Sequence, residues 1–334
     1  MFEAKIIADS ICNGNRLTTM QLTHPRIIHA EFNTHCMFSR NASSSRAIPF
    51  TTTVKRVIED PFLPVFWGEN QSGMQAAKEI ADWKKEKAIK YWLGARDEMI
   101  KIASALSSKE CLVCKGRKGW NTATGGSEQW VSCSECNGTG EGINLHKQIV
   151  NRLIEPWAWI TVCVTGDAGA WSNYFALRCD KDAQPEIQKQ AYMAQKAYFE
   201  STPQVLRAGD WHLPYVRKDE YVDLTNWYLK NYGYADSFDE FQKHAVKISV
   251  GRCARTSYLT QEGQRDFDKD VELHDRLCYH KPMHASPFEH VCQAQSGNHR
   301  YGKYTGWKAY RHMLPEEYIT DFKANYEEHF KDKK

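Results

Sequence analysis

The chain has 334 residues, 42% of them hydrophobic and 12% aromatic, which supplies a sizeable core and excludes a disordered tail protein. Lys and Arg number 44 against 41 Asp and Glu, for a formal charge of +3. Charge so nearly balanced argues against a nucleic-acid coat protein, and any anion site has to come from local placement.

Residues 1–32 alternate in a strand-like way, with Pro25 as punctuation between two extended runs. The stretch "HCMFSRNASSSRAI" (35–48) follows, with four Ser, one Asn and two Arg. It reads as a solvated loop or as a phosphate cradle, and its own composition leaves both open. A loop through "DPFLPVFWGENQSG" leads into about thirty residues, "MQAAKEIADWKKEKAIKYWLGARDEMIKIASAL", with apolar positions at helical spacing. Helical spacing returns in "INLHKQIVNRLIEPWAWI", in "DAQPEIQKQAYMAQKAYFESTP" and in "RDFDKDVELHDRLCYH", whereas residues 205–245 carry no clear signal. No run approaches the roughly 18 apolar residues of a membrane span. The N-terminus lacks the order of a signal peptide, so a cytoplasmic setting is expected.

Residues 108–142 differ in character. Cys111, Cys114, Cys133 and Cys136 form C-x2-C-x18-C-x2-C with glycines after each pair, a spacing that places four thiolates around Zn2+ and leaves no open position for water. An iron–sulfur cluster would use the same ligands. Arg117, Lys118, Trp120 and Trp130 are the surface such a module would offer to nucleic acid, or ordinary packing. The other seven Cys sit among apolar neighbours and read as small buried hydrophobes.

Three separated segments carry the remaining chemistry. They are His35-x3-Ser39-x-Asn41-x2-Ser44-x-Arg46; then Arg152 with "WSNYFALRCDKDAQPEI" (Asn173, Arg178, Gln184, Glu186); and "CARTSY" (Arg255, Ser257) with "HASPFEH" (His284 to His290). Together they resemble the flavin-dependent thymidylate synthases. That family's R-H-R-x2-S-x-N-x2-S-x-R signature falls in register on His35, Ser39, Asn41, Ser44 and Arg46. Its S-P-F-E-H segment, which usually comes first, stands here near the C-terminus, so the order looks circularly permuted.

The resemblance implies an α+β fold, a small mixed sheet packed with helices, with a zinc-ribbon-like insert. Residues 1–107 and 143–334 would be the catalytic unit and 108–142 the insert. It implies reductive methylation of dUMP to dTMP with methylenetetrahydrofolate, FAD and NADPH, in a homotetramer whose active sites are shared between subunits. Ser44, Ser45, Arg46 and Arg152 would hold the nucleotide phosphate. Arg178 would meet the pyrimidine and stabilise negative charge on it. His35, Ser39, Asn41, Asn173, His284, Ser286 and Glu289 would contact flavin and folate. Thr34 and Cys36 replace both arginines of R-H-R, Glu31 replaces a Gln and Gly169 an Arg. The basic tail (Arg300, Lys303, Arg311, His312) is the other source of positive charge. A pyrimidine-nucleotide hydroxymethylase on the same fold, or a non-catalytic zinc-ribbon nucleic-acid binder, are the alternative readings.

Overall fold

The computed structural model describes residues 1–124, 127–233, 238–260, 263, 265–280 and 282–315. Two long strands open it, β1 (Glu3–Cys12) and β2 (Asn15–Pro25). Their two-residue loop is Asn13–Gly14, both at positive φ (50° and 81°), the backbone that lets a tight hairpin follow the right-handed twist of its strands. The extended run expected beyond Pro25 is instead a 3-10 turn over Arg26–Ile28 and a short helix, α1 (His29–Phe32). Proline has no N–H to continue the ladder, so the strand ends there.

Next come β3 (Ser39–Ala42), α2 (Phe50–Glu59), α3 (Asp82–Ser107), the hairpin β4 (Gly119–Thr124) and β5 (Ser127–Ser132), α4 (Lys147–Leu153), β6 (Trp159–Asp167), α5 (Ala168–Arg178) and α6 (Pro185–Glu200). The chain then forms β7 (Gln204–Val205), β8 (Trp211–His212), α7 (Tyr221–Tyr232), α8 (Phe238–Arg255), α9 (Phe267–Tyr279), β9 (Cys292–Ala294), β10 (Arg300–Tyr301), β11 (Tyr304–Thr305) and β12 (Trp307–Ala309). α3 begins at Asp82 rather than Met74, and α4 stops at Leu153, just ahead of Pro156. α7 and much of α8 fall in the stretch that gave no sequence signal.

Among the described residues the main sheet has five strands in the order β3–β6–β2–β1–β7, antiparallel except for the β1–β7 pair. A smaller sheet orders β12–β9–β8. The fold is therefore mixed α+β, with small sheets and packed helices. One face of the main sheet is apolar: Met20, Leu22, Val162 and Val164 pack on Trp171 and Tyr174 of α5 and Ile187 and Ala191 of α6. Burying each large side chain of this kind stabilises by about 1.5–3 kcal/mol. The opposite face is polar yet buried, with Thr19, Gln21, Thr23, Thr161 and Thr165 covered by later segments. Among the described residues, no helix is long and apolar enough to cross a membrane.

Gly166 on β6 shows how tightly the apolar layer closes. A Cβ there would sit 2.7 Å from the Phe38 ring and 3.1 Å from Ala170. Gly166→Ala is expected to cost about 1–3 kcal/mol through overpacking. Thermal unfolding reads this as a lowered Tm, and an unchanged Tm would mean the Phe38 ring shifts freely.

Candidate functional site

β3 is an edge strand that pairs only with β6, so its far side is free to meet other segments. Ser39 Oγ donates to Glu289 Oε2 at 2.7 Å, joining residues 250 apart in sequence. Glu289 also binds Lys303 at 3.0 Å and Arg311, and Lys303 reaches the Phe38 carbonyl at 3.1 Å. Burial alone would push the Glu289 carboxyl up. The Ser39 hydroxyl and the Lys303 and Arg311 cations overcome it and hold the group down at about 2. Ser39, Glu289, Lys303 and Arg311 line a cavity of about 130 Å³, with His312 on its wall. Of the tail residues named above, Arg300 lies apart, its Nε donating to the Gly302 carbonyl at 3.2 Å.

Asn41 binds the same late segments two residues further on. Its Nδ2 donates to the Cys253 carbonyl at 2.6 Å, and its Oδ1 accepts from Ser257 Oγ at 3.3 Å and Ser286 Oγ at 3.5 Å. The Ser44 amide donates to the Ser257 carbonyl at 3.0 Å. Ser44 Oγ accepts from the Arg46 amide at 3.2 Å. Ser45 Oγ donates to Glu155, and Asn151 of α4 donates to the Ser45 and Ile48 carbonyls at 2.7 and 3.0 Å. Glu155 pairs with Arg26 at 2.8 Å and lies 3.9 Å from Arg152. The hydroxyl-rich stretch is thus a tied turn rather than a loose loop. The Arg46 side chain projects exposed from it, with no side-chain partner among the described residues.

Arg178 ends α5 at the other end of the same stretch. Its guanidinium binds Glu31, donates from Nε to His35 Nε2 at 2.8 Å and lies 3.4 Å from Thr34 Oγ1. Burial, with the Arg178 and Arg40 charges beside it, holds His35 down at about 4. A guanidinium only donates, so His35 Nε2 is the acceptor and its ring proton sits on Nδ1. Glu31 is the counter-ion of Arg178. The cavity beside Arg178, about 610 Å³, is lined by Glu31, Gln184 and Glu186 among others. A second cavity, lined by Ile48, Pro49 and Tyr258 among others, shares no lining residue with it. Hydrogen bonds bring Ser39, Asn41, Ser286 and Glu289 together in pairs, and His35 with Arg178. Among the described residues no hydrogen bond or ion pair joins Arg178 to Ser44, Ser45 or Arg46. Asn173 and His284 are exposed, His284 packing edge-on against His280 at 4.3 Å.

The four cysteines meet at one point. Their sulfurs lie within 4.8 Å of one another and all four are buried, with Cys111–Cys133 at 3.8 Å and Cys114–Cys136 at 3.7 Å. Four Zn–S bonds of about 2.3 Å at tetrahedral angles give S···S edges of about 3.8 Å; a disulfide needs about 2.05 Å. The two knuckles repeat each other: the Cys111 amide donates to Gly140 and the Cys133 amide to Lys118, both at 2.9 Å. The donor set and its spacing fit a structural zinc.

Asn151, Glu155 and the Glu289 partners were the residues hardest to assign from sequence. Each acts on a group more than a hundred positions away, or was visible only as tail charge.

The fold and site define a mixed α+β protein with a closed four-thiolate centre and a buried polar junction of distant segments. No family model matches the chain, and no curated protein matches it. Among solved structures it is similar to the flavin-dependent thymidylate synthase ThyX from Helicobacter pylori, complexed with FAD and dUMP. The match has 17% identity and a TM-score of 0.29, covering 55% of this chain and 67% of that one. The overlap is partial.

Proposed function

We propose that the chain is a flavin-dependent enzyme acting on a pyrimidine nucleotide, methylating dUMP with methylenetetrahydrofolate as the one-carbon donor. The observation that carries this reading is the Ser39–Glu289 contact. It joins the first and last of the three segments, as a permuted chain would have to. FAD, reduced by NADPH, would supply hydride when bound. The junction around Ser39, where Lys303 and Arg311 outnumber the Glu289 carboxylate they pair with, would take an anionic group such as a flavin diphosphate on its net positive charge, which Thr34 and Cys36 do not supply. Asn41, Ser286 and His35 would orient the flavin, and Asn173 and His284 would complete contacts to flavin and folate from the surface.

Arg46, Ser44 and Arg152 would take the phosphate. Arg178 would stabilise charge on the uracil ring, of a nucleotide held by another copy if the sites are shared as the family resemblance implies. A homotetramer is the assembly that the same resemblance implies, with residues 1–107 and 143–334 as the catalytic unit and 108–142 as the zinc insert. The insert leaves and returns at one place, through the 2.9 Å Gly142–Lys109 and Asn144–Ser108 backbone bonds.

The test is the absorption spectrum after reconstitution with FAD, followed by dUMP-dependent oxidation of NADPH. Flavin bands with no dUMP dependence, or salt-sensitive DNA binding without flavin, overturn the reading. A product carrying a hydroxymethyl rather than a methyl group moves the reaction to hydroxymethylation, the alternative that Thr34 and Cys36 keep open. Arg46→Ala is expected to weaken dUMP binding about 10- to 100-fold, the scale of one lost charge-assisted contact. Its Tm should hold, since the side chain is exposed and unpaired. Titration calorimetry and a melting curve check both.

A further inference from the structure

The buried polar face of the sheet holds an unbroken chain of side-chain hydrogen bonds. Ser10 Oγ lies 2.8 Å from His212 Nδ1, and His212 Nε2 lies 2.8 Å from Thr19 Oγ1. Thr19 Oγ1 lies 2.6 Å from Thr165 Oγ1, which lies 2.9 Å from His290 Nδ1. Ser10 is 4% exposed and the other four residues are fully buried. His290 Nε2 has no nitrogen or oxygen partner; the imidazole's remaining neighbour is the Cys163 thiol.

With both rings neutral, proton counting restricts the chain to two states. A hydroxyl donates one proton, and a neutral imidazole carries one N–H. If His212 carries it on Nε2, that N–H goes to Thr19. Thr19 then donates to Thr165, and Thr165 to His290 Nδ1, which leaves the His290 proton on Nε2. If His212 carries it on Nδ1, every bond reverses and the His290 proton is on Nδ1. Making all four bonds forces the same nitrogen in both rings. Burial holds His212 down at about 3, so it stays neutral.

We propose that Ser10, His212, Thr19, Thr165 and His290 form a two-state hydrogen-bond chain that couples the tautomers of two buried imidazoles across the sheet. It runs from the cavity where Ser10 lies with Trp211, Arg217 and Tyr221 to the turn that carries Glu289. Reversing one bond requires reversing all four, so the position of the His212 ring proton sets that of His290 although two threonines separate the rings. The coupling is independent of the flavin reading, since it needs no bound cofactor.

Long-range 1H–15N correlation of the side chains tests it on the intact protein. His212→Asn and His290→Asn assign the two rings. The expected wild-type result at neutral pH is the same tautomer in both, Nδ1–H in each or Nε2–H in each. Opposite tautomers, or an imidazolium at either ring, overturn the coupling. Thr19→Val, which keeps the shape and cuts the chain at its centre, is expected to shift the His290 nitrogens although Thr19 does not touch that ring. His290 resonances unchanged in a folded Thr19→Val protein overturn it as well.

Discussion

Replacing Cys133 with serine is expected to release the metal and melt residues 108–142 while α3 and α4 stay folded. The reason is what the module lacks. Its buried apolar cluster consists of the four cysteines alone, and Leu112, Val113, Trp120 and Trp130 are all exposed. A two-stranded hairpin such as β4–β5 is marginal in water by itself, so metal binding supplies its folding free energy, about 10–16 kcal/mol for sites of this kind. α3 and α4 have their own core, in which Val150 and Ile154 pack with Ala103, Met99 and Leu106. Metal analysis should give one zinc per chain in the wild type and none in Cys133→Ser. Hydrogen exchange should show protection lost across 108–142 and kept in α3. Retained protection in a metal-free protein would assign the hairpin's stability to something other than the thiolates. A brown colour would replace zinc with iron at the same four sulfurs.

How much of this was legible in sequence depends on how far apart the cause lies. The four-cysteine centre was readable because each knuckle is local and its spacing alone fixes a tetrahedron. α6 and α9 were readable because helical periodicity is local too, and Pro185 and Asp266 mark their starts. The Asn13–Gly14 hairpin carries an equally local signal. The seven residues after Pro25, RIIHAEF, depart from the expected strand because four apolar positions among three polar ones suit either period. α7 and α8 hid in aromatic and acidic sequence whose pattern is completed only by α9 and Phe267 packing on it. The Ser-rich stretch was undecidable alone: the residues that tie it down, Asn151, Glu155, Ser257 and Glu289, come more than a hundred positions later. No spacing rule reports them. The Glu289 segment lies toward the opposite end of the chain from its partner Ser39, 250 positions away.

Glu289→Gln is expected to destabilise the protein by about 3 kcal/mol at neutral pH, with the loss confined to pH values where the wild-type carboxylate is ionised. The folded group titrates at about 2 against an ordinary value of 4.5, and each unit is worth about 1.36 kcal/mol. Because the folded value is the lower one, the stabilisation is fully present above about 4.5 and disappears as pH falls through 2. The amide keeps the shape and can still accept from Ser39. It removes the carboxylate that Lys303 and Arg311 share in a partly buried cavity, and breaking such an arrangement costs more than the pair itself contributes. Denaturant unfolding of both proteins at pH 7, 5 and 3 separates this from general acid sensitivity. Metal loss at low pH acts on both alike, so only their difference reports Glu289. That difference should be largest at pH 7, nearly unchanged at pH 5 and smaller at pH 3. A gap that is absent at pH 7, or constant down to pH 3, would mean that Lys303 and Arg311 are held by other groups. The Ser39 junction would then lose its electrostatic centre.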